Sequence, residues 1–428
     1  MTQSRYQVKT VVAATGERLP ILLGSDGLPL FEPTLFALTE IRAKNRAANT
    51  IGNSLRGILI FYLFLDLNGI DLRRRLTAGQ LLSMGEIEDL VRLCRLPIES
   101  IVAASNREEA TSVRGPVVSM EKFRQRVASE VAREIAPTFA ATRLRCIRDY
   151  LKWLVSDTSS RVGVGSEHRT AIEDSGRFVV GAIDARLPAG DSRGKLGERE
   201  GLAPDSVKEL LRVIDPGSPD NPWQDEHSRF RNELIILWLY YLGMRRGELL
   251  GVRVSDIDFR KGSVIVARRA DDPTDPRKVQ PNVKTRAREI PLSQLLQDKT
   301  NAYVVKYRSA LQAARKHRFL FIASDSGAPL SIPSFAKIFN VLRAKNPALP
   351  RNLFAHLLRH TWNDRFSEEM DKRGVSEETE KKTRSYLMGW SETSGSAATY
   401  TRRHVRKKAQ EASLRMQGRM AGTEVNNE

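Results

Sequence analysis

From about Thr34 the apolar residues of this chain fall into helical step. Ile51, Leu55, Ile58, Tyr62 and Leu65 recur every three or four positions, the spacing that stacks side chains on one helix face, and Thr50 stands before them as a capping residue. A second stripe, Leu144, Ile147, Leu151 and Leu154, runs through ATRLRCIRDYLKWLV, leaving Arg143, Arg145, Arg148 and Lys152 for the other faces. Arg42, Lys44 and Arg46 precede the first helix in the same way. Each basic set reads either as solvated surface or as a face for phosphate. Residues 1–30 are mixed, with Gly and Pro punctuation, and predict no particular role.

The pattern breaks at RLPAGDSRGKLGEREG, residues 186–201, which is rich in Gly and charge and poor in apolar side chains. It reads as a linker between two domains. Beyond it, Pro204 suits the first turn of a helix carrying Val207, Leu210 and Leu211. A long apolar helix from Phe230 to Leu242 stops at Gly243, and RRGELLGV starts another. GSVIVARR and VKTRAREIPL flank a turn with two prolines and predict a hairpin. From Leu292 the chain reads as helices, with RFLFIAS as one short candidate strand.

Composition narrows the class. A chain of 428 residues with 41% hydrophobic content is long enough for two or three domains. The formal charge of +18 points to a polyanionic partner, nucleic acid ahead of an anionic membrane. The longest apolar runs, GILIFYLFL and LIILWLYYLGM, fall short of the roughly 20 residues of a bilayer span and predict buried helices. No secretory signal pattern opens the chain, so a cytoplasmic, nucleoid-associated protein is expected. Cys94 and Cys146 have no spacing suited to a disulfide framework or a zinc finger.

Four pieces of the second half carry candidate chemistry. GMRRGELLGV places Arg245 just after a helix stop, with Glu248 three residues on as a structural partner. HLLRH puts His356, Arg359 and His360 on one helical turn; VKTRAREIPL carries Lys284; GWSETSGSAATY brings Trp390 ten residues before Tyr400. Arg245, Lys284, His356, Arg359, Trp390 and Tyr400, in this order, resemble the active-site set of the tyrosine recombinases, the phage-integrase-like family. The resemblance covers about Leu202 to His404. It implies a mainly α fold with a small β-hairpin in the catalytic domain, and a two-domain clamp on DNA: a helical core-binding region over 31–185, with the stretch near 76–119 as an insertion, the linker 186–201, a catalytic domain over 202–410 and a tail over 411–428.

The residue types suit that chemistry. Attack of a phenol on a phosphodiester builds charge on the non-bridging oxygens, and two guanidinium forks match those oxygens. By resemblance Arg245 and Arg359 form that clamp. A phenol with an ordinary pKa near 10 needs help to ionise, and His356 is the candidate base, with His360 supporting the site. The departing 5′-oxygen needs a proton. Lys284 supplies it by resemblance, while Lys278, Arg286 and Arg288 lie in the same hairpin as alternatives. Trp390 would pack against or hydrogen-bond the phosphate. No metal or other cofactor is expected, because positioning and built-in cations do most of the work in phosphoryl transfer.

The expected partners are double-stranded DNA, other copies of the chain, four on two sites, and accessory DNA-binding proteins. TRRHVRKKAQEASLRMQ reads either as a helix that packs on the next protomer or as a basic end that touches DNA. The expected activity is site-specific recombination through a 3′-phosphotyrosyl intermediate. The alternatives are a type IB-like topoisomerase and a DNA-binding accessory or repressor protein on the same fold.

Overall fold

The computed structural model describes residues 4–112, 134–188, 200–281, 283, 285–391 and 395–420. Most of the expected linker, part of the expected insertion and Lys284 lie outside the described residues. The chain divides into two compact units, Met1–Gly194 and Lys195–Glu428, and is mainly helical with small antiparallel sheets.

The first unit opens with a hairpin that the mixed pattern of residues 1–30 does not predict. Strand β1 (Gln7–Val12) pairs antiparallel with β2 (Arg18–Leu23), from Gln7 opposite Leu23 to Val12 opposite Arg18. Helix α1 (Phe31–Phe36) runs into a π-helical turn, Ala37–Arg42. Then follow α2 (Ala48–Leu67), α3 (Leu72–Thr77), α4 (Met84–Leu93), α5 (Ile98–Ser112), α6 (Pro137–Ser160) and α7 (Glu167–Ala185). Thr50 does not cap α2. Asn45 turns the chain with φ 52°, Ala47 is extended, and the helix starts at once with Thr50 already inside its first turn. Local backbone reversal set this boundary, not capping chemistry.

Helix α2 is 20 residues long and apolar enough by length and composition to cross a membrane. Here Ile51, Leu55, Ile58, Phe61 and Leu63 are buried in the core of the unit, as expected for a core helix. Gly57 permits the close approach of α6, since a Cβ there would lie 2.7 Å from the Cβ of Cys146. The centre is aromatic: Tyr150 is fully buried, its hydroxyl 3.0 Å from that of Tyr62 and its ring edge-on to Phe36.

The second unit contains α8 (Pro204–Ile214), α9 (Glu226–Leu242), α10 (Arg246–Gly251), β3 (Ile257–Asp258), β4 (Ser263–Val266), β5 (Arg288–Pro291), α11 (Gln294–Ala302), α12 (Ile332–Lys345), α13 (Ala355–Lys372), α14 (Glu377–Met388) and α15 (Gly395–Met420). Pro204 takes the first turn of α8. Asp225 caps α9, which is buried on nearly all sides and ends at left-handed Gly243. The hairpin is β4–β5, with Val264 opposite Ile290, and β3 extends it to three strands. RFLFIAS forms no strand; it touches neighbours through isolated bridges at Phe319 and Ile322. The long turn between β4 and β5 is pinned by buried charge. Arg277 binds Asp275 at 2.8 Å and the carbonyls of Leu250 and Leu330 at 3.0 Å each, Arg269 binds Asp256, and Arg253 binds Asp272.

Candidate active site

The site begins with two left-handed glycines. At Gly243, φ 61°, an added Cβ would meet Trp362 at 2.9 Å, so the α9 terminus lies directly on α13. That approach presents the Gly243 carbonyl to Arg359 Nη1, 2.6 Å away. At Gly389, φ 63°, a Cβ would meet the backbone oxygen of Arg286 at 2.9 Å. Its own carbonyl accepts from the Arg286 N–H at 3.0 Å, which binds the end of α14 to the arm leading into β5 and sets the position of Trp390.

Arg359, on α13, is 1% exposed. Its second anchor is the Met388 carbonyl at 3.5 Å. Arg245 is the residue immediately before α10, and its backbone N–H donates to Glu248 Oε2 at 2.9 Å. Its side chain stays part-exposed, with Nη1 3.5 Å from Glu248 Oε1. Both guanidiniums lie by the indole of Trp390, at 5.2 Å for Arg359 and 6.0 Å for Arg245. Burial and the charge of Arg245 lower the pKa of Arg359, while Glu248 and Tyr400 oppose them.

Glu248 is the counter-ion of this group. It accepts from Thr285 Oγ1 at 2.6 Å and Arg288 Nη2 at 2.9 Å, with Arg359 Nη1 3.9 Å away. Burial alone would raise its pKa; Arg288, Arg359 and the Thr285 hydroxyl together hold it below the ordinary value. Arg288, offered by sequence only as an alternative for Lys284, is thereby a buried structural cation that also donates to the Leu387 carbonyl at 2.6 Å.

Tyr400 lies on α15, five residues after the helix begins, with its ring stacked on Trp390 at 5.8 Å and 7°. Its hydroxyl is 3.0 Å from Nδ1 of His360. His356, expected as the base, is exposed and packs edge-on against His360 at 4.5 Å. Burial raises the phenol pKa above its ordinary value, against the lowering charges of Arg359, Arg245 and Arg384. The indole Nε1–H of Trp390 is buried and has no hydrogen-bond partner among the described residues.

Five of the six expected catalytic residues, Arg245, His356, Arg359, Trp390 and Tyr400, therefore come together, and Lys284 is outside the described residues. Arg384 was missed by sequence reading. It is 0% exposed, and its guanidinium carbon is 5.7 Å from the Tyr400 ring centre. Thr285 was also missed, and Arg288, named in the sequence only as an alternative to Lys284, shares the inward face of β5 with Ile290, a register signal for a buried structural role.

The candidate DNA-contact residues divide. Arg143 donates to the Cys94 and Leu96 carbonyls at 3.0 and 2.6 Å and so closes the end of α4. Arg42, Lys44 and Arg148 pair with Glu17, Glu40 and Asp184. Arg46, Arg145 and Lys152 are exposed, with no carboxylate partner among the described residues.

Residues 201–405, within the second unit, match the family model described as Phage integrase family. Among individual proteins, the chain is 30% identical over 148 residues to the tyrosine recombinase XerD of Halalkalibacterium halodurans, a match over 34% of this chain and 44% of that relative. The chain thus spans less than half the length of the curated relative it matches. Solved structures with some likeness include the Tn1549 transposon integrase in complex with a circular intermediate DNA, at TM-score 0.37 and 18% identity over 62% of this chain and 85% of that one. Another is the XerH recombinase bound to palindromic difH substrate, at 0.38 and 14% over 85% and 96%.

Proposed function

We propose that the chain is a site-specific DNA recombinase that cuts and rejoins duplex DNA through Tyr400, without metal or ATP. The observation that carries this reading is the gathering of Arg245, Arg359 and Tyr400 around one indole, although they lie far apart in sequence. The match of residues 201–405 to the phage integrase family model supports it.

In this reading Arg245 and Arg359 hold the non-bridging oxygens of the scissile phosphate, where charge builds in the transition state. The unpartnered Trp390 N–H supplies a further donor. With its own proton on Nε2, His360 accepts from the Tyr400 hydroxyl, and His356 beside it shares the role of base. The phenolate oxygen bonds to phosphorus as the bond to the 5′-oxygen breaks, and Lys284 gives that oxygen its proton. The products are a 3′-phosphotyrosyl bond and a free 5′-hydroxyl. Attack by a 5′-hydroxyl from another duplex reverses the step and exchanges the strands.

The first unit serves as the DNA-binding region, residues 202–410 as the catalytic domain, and 411–428 as a tail for protomer or DNA contact. Four copies act on two sites in the cytoplasm at the nucleoid, with accessory DNA-binding proteins as further partners. Arg46, Arg145 and Lys152 are the better placed of the basic candidates for phosphate, because the other four already hold internal partners.

A nicked suicide duplex taken from the ends of the genetic element that encodes the chain tests the reading. A covalent protein–DNA adduct that disappears in Tyr400→Phe is expected, together with joined products from two duplexes. An adduct that survives Tyr400→Phe removes the assignment; relaxed plasmid without joined products makes the protein a topoisomerase, and binding without any adduct makes it an accessory protein.

A further inference from the structure

We propose that Arg384 is a positioning residue for Tyr400: its buried guanidinium holds the phenol ring and favours the ionised oxygen. The inference rests on the reading of Tyr400 as nucleophile. Arg384 lies on α14, outside the six-residue constellation, and nothing in HLLRH or GMRRGE points to it.

Its surroundings are unusual for an arginine. The side chain is fully buried. Nη2 is the satisfied nitrogen, donating to Ser367 Oγ at 2.5 Å and binding the Glu380 carboxylate. Nε and Nη1 are buried with no hydrogen-bond partner among the described residues. Two aromatic faces stand near the charge instead, Phe366 at 5.2 Å and Tyr400 at 5.7 Å. A buried guanidinium with open donors is unfavourable in a domain that only needs to fold, since an apolar side chain of similar size would fill the space without that penalty. It becomes useful if the neighbouring ring must carry a negative charge during the reaction.

The other charges that face Tyr400 are Arg245 before α10 and Arg359 and His360 on α13; His404 lies one turn further along α15. Arg245 and Arg359 are the expected grip on phosphate, whose negative charge offsets theirs once DNA is bound. Arg384 is buried beneath the ring and has Glu380 as its only carboxylate partner among the described residues. It is therefore placed to keep a positive field on the phenol while the phosphate is in the site. The tyrosine charge is among the influences on Arg384, and the reverse holds as well.

Two substitutions of opposite sign test this. Arg384→Met removes the cation, and Glu380→Gln removes the carboxylate that partly cancels it. The protein is labelled with [13Cζ]tyrosine, the Tyr400 resonance is assigned by its loss in Tyr400→Phe, and the phenol is titrated without DNA. Arg384→Met should raise the Tyr400 pKa by about one unit, and Glu380→Gln should lower it by a smaller amount. Arg384→Lys should remain near wild type. In the suicide-duplex assay the pH profile of adduct formation should move in the same directions, with DNA affinity unchanged. A purely structural role would slow both variants alike and leave the titration in place, and that result overturns the inference. Shifts of the same sign in both variants overturn it too. If Arg384→Met does not fold, Glu380→Gln decides alone: a lowered pKa supports the inference and an unmoved one overturns it. Should wild type form no Tyr400-dependent adduct, the recombinase reading fails, while the titration still decides whether Arg384 acts on the phenol.

Discussion

Arg75, Arg148 and Arg186 of the first unit lie near its surface, each on a carboxylate: Glu86 at 2.7 Å, Asp184 at 2.5 Å and Glu88 at 2.5 Å. Arg288, Arg359 and Arg384 of the second unit are 5%, 1% and 0% exposed and are held largely by backbone carbonyls and shared carboxylates. The first arrangement is that of a helical domain stabilised by its apolar core, where exposed pairs add little. The second keeps cations inside the protein, where removing a partner leaves a charge stranded. The first unit also buries an arginine, Arg18, 2% exposed, on the Gly16 carbonyl at 2.6 Å, but the second gathers three buried arginines close to Tyr400 and its surroundings.

Substitutions can break that contrast. The largest effect is expected at Glu248, where Gln would strand Arg288 and Arg359; urea unfolding should show a loss of about 3–5 kcal/mol. Because the folded carboxyl sits below its ordinary value, its contribution is present above about pH 4.3 and is lost as the pH falls through the lower folded value. Glu248→Gln should therefore flatten the acid side of the stability profile, and an unchanged profile would refute the counter-ion role. Next comes Arg359→Lys, which cannot reach the Gly243 carbonyl and a phosphate together. Adduct formation should slow by about 10²–10³-fold. Gly243→Ala forces φ 61° on a residue with a Cβ and sets that Cβ 2.9 Å from the Trp362 ring, so it should cost at least about 1–2 kcal/mol; a calorimetric shift would be accompanied by slower cleavage, because the carbonyl that orients Arg359 moves. The smallest effect belongs to the first unit. Arg148→Ala should change stability by less than about 1 kcal/mol, and by still less in high salt. A loss there as large as at Glu248 would erase the distinction between the units.

Much of the site could be read from sequence because its signals are local. Gly243 after an apolar helix marks a left-handed stop, and HLLRH fixes three side chains to one turn whatever the surrounding fold. Proximity across the chain was less accessible. Which imidazole meets the phenol depends on how α15 lies on α13, and periodicity does not encode that. Arg384 sits in a helix whose sequence, EETEKKTRSYLM, looks like a solvated face; its burial comes from packing against Phe366 and Ser367 of α13 and Tyr400 of α15. The N-terminal hairpin was missed although RLPILL alternates between buried and half-buried positions, because the prolines and glycines around it masked the period. The start of α2 shows the converse, a plausible capping threonine overruled by a backbone reversal five residues earlier.

Tyr400 sits near the root of α15, which continues unbroken to Met420 over 26 residues, a rod of about 39 Å at roughly 1.5 Å per residue. A rod pivoting near one end is a lever. A tilt of a few degrees at the hydroxyl becomes a displacement of ångströms at the tip, and a modest pull on the tip returns as torque on the phenol. Whatever grasps the far end of this helix thus has mechanical leverage over the Tyr400 hydroxyl without coming near it.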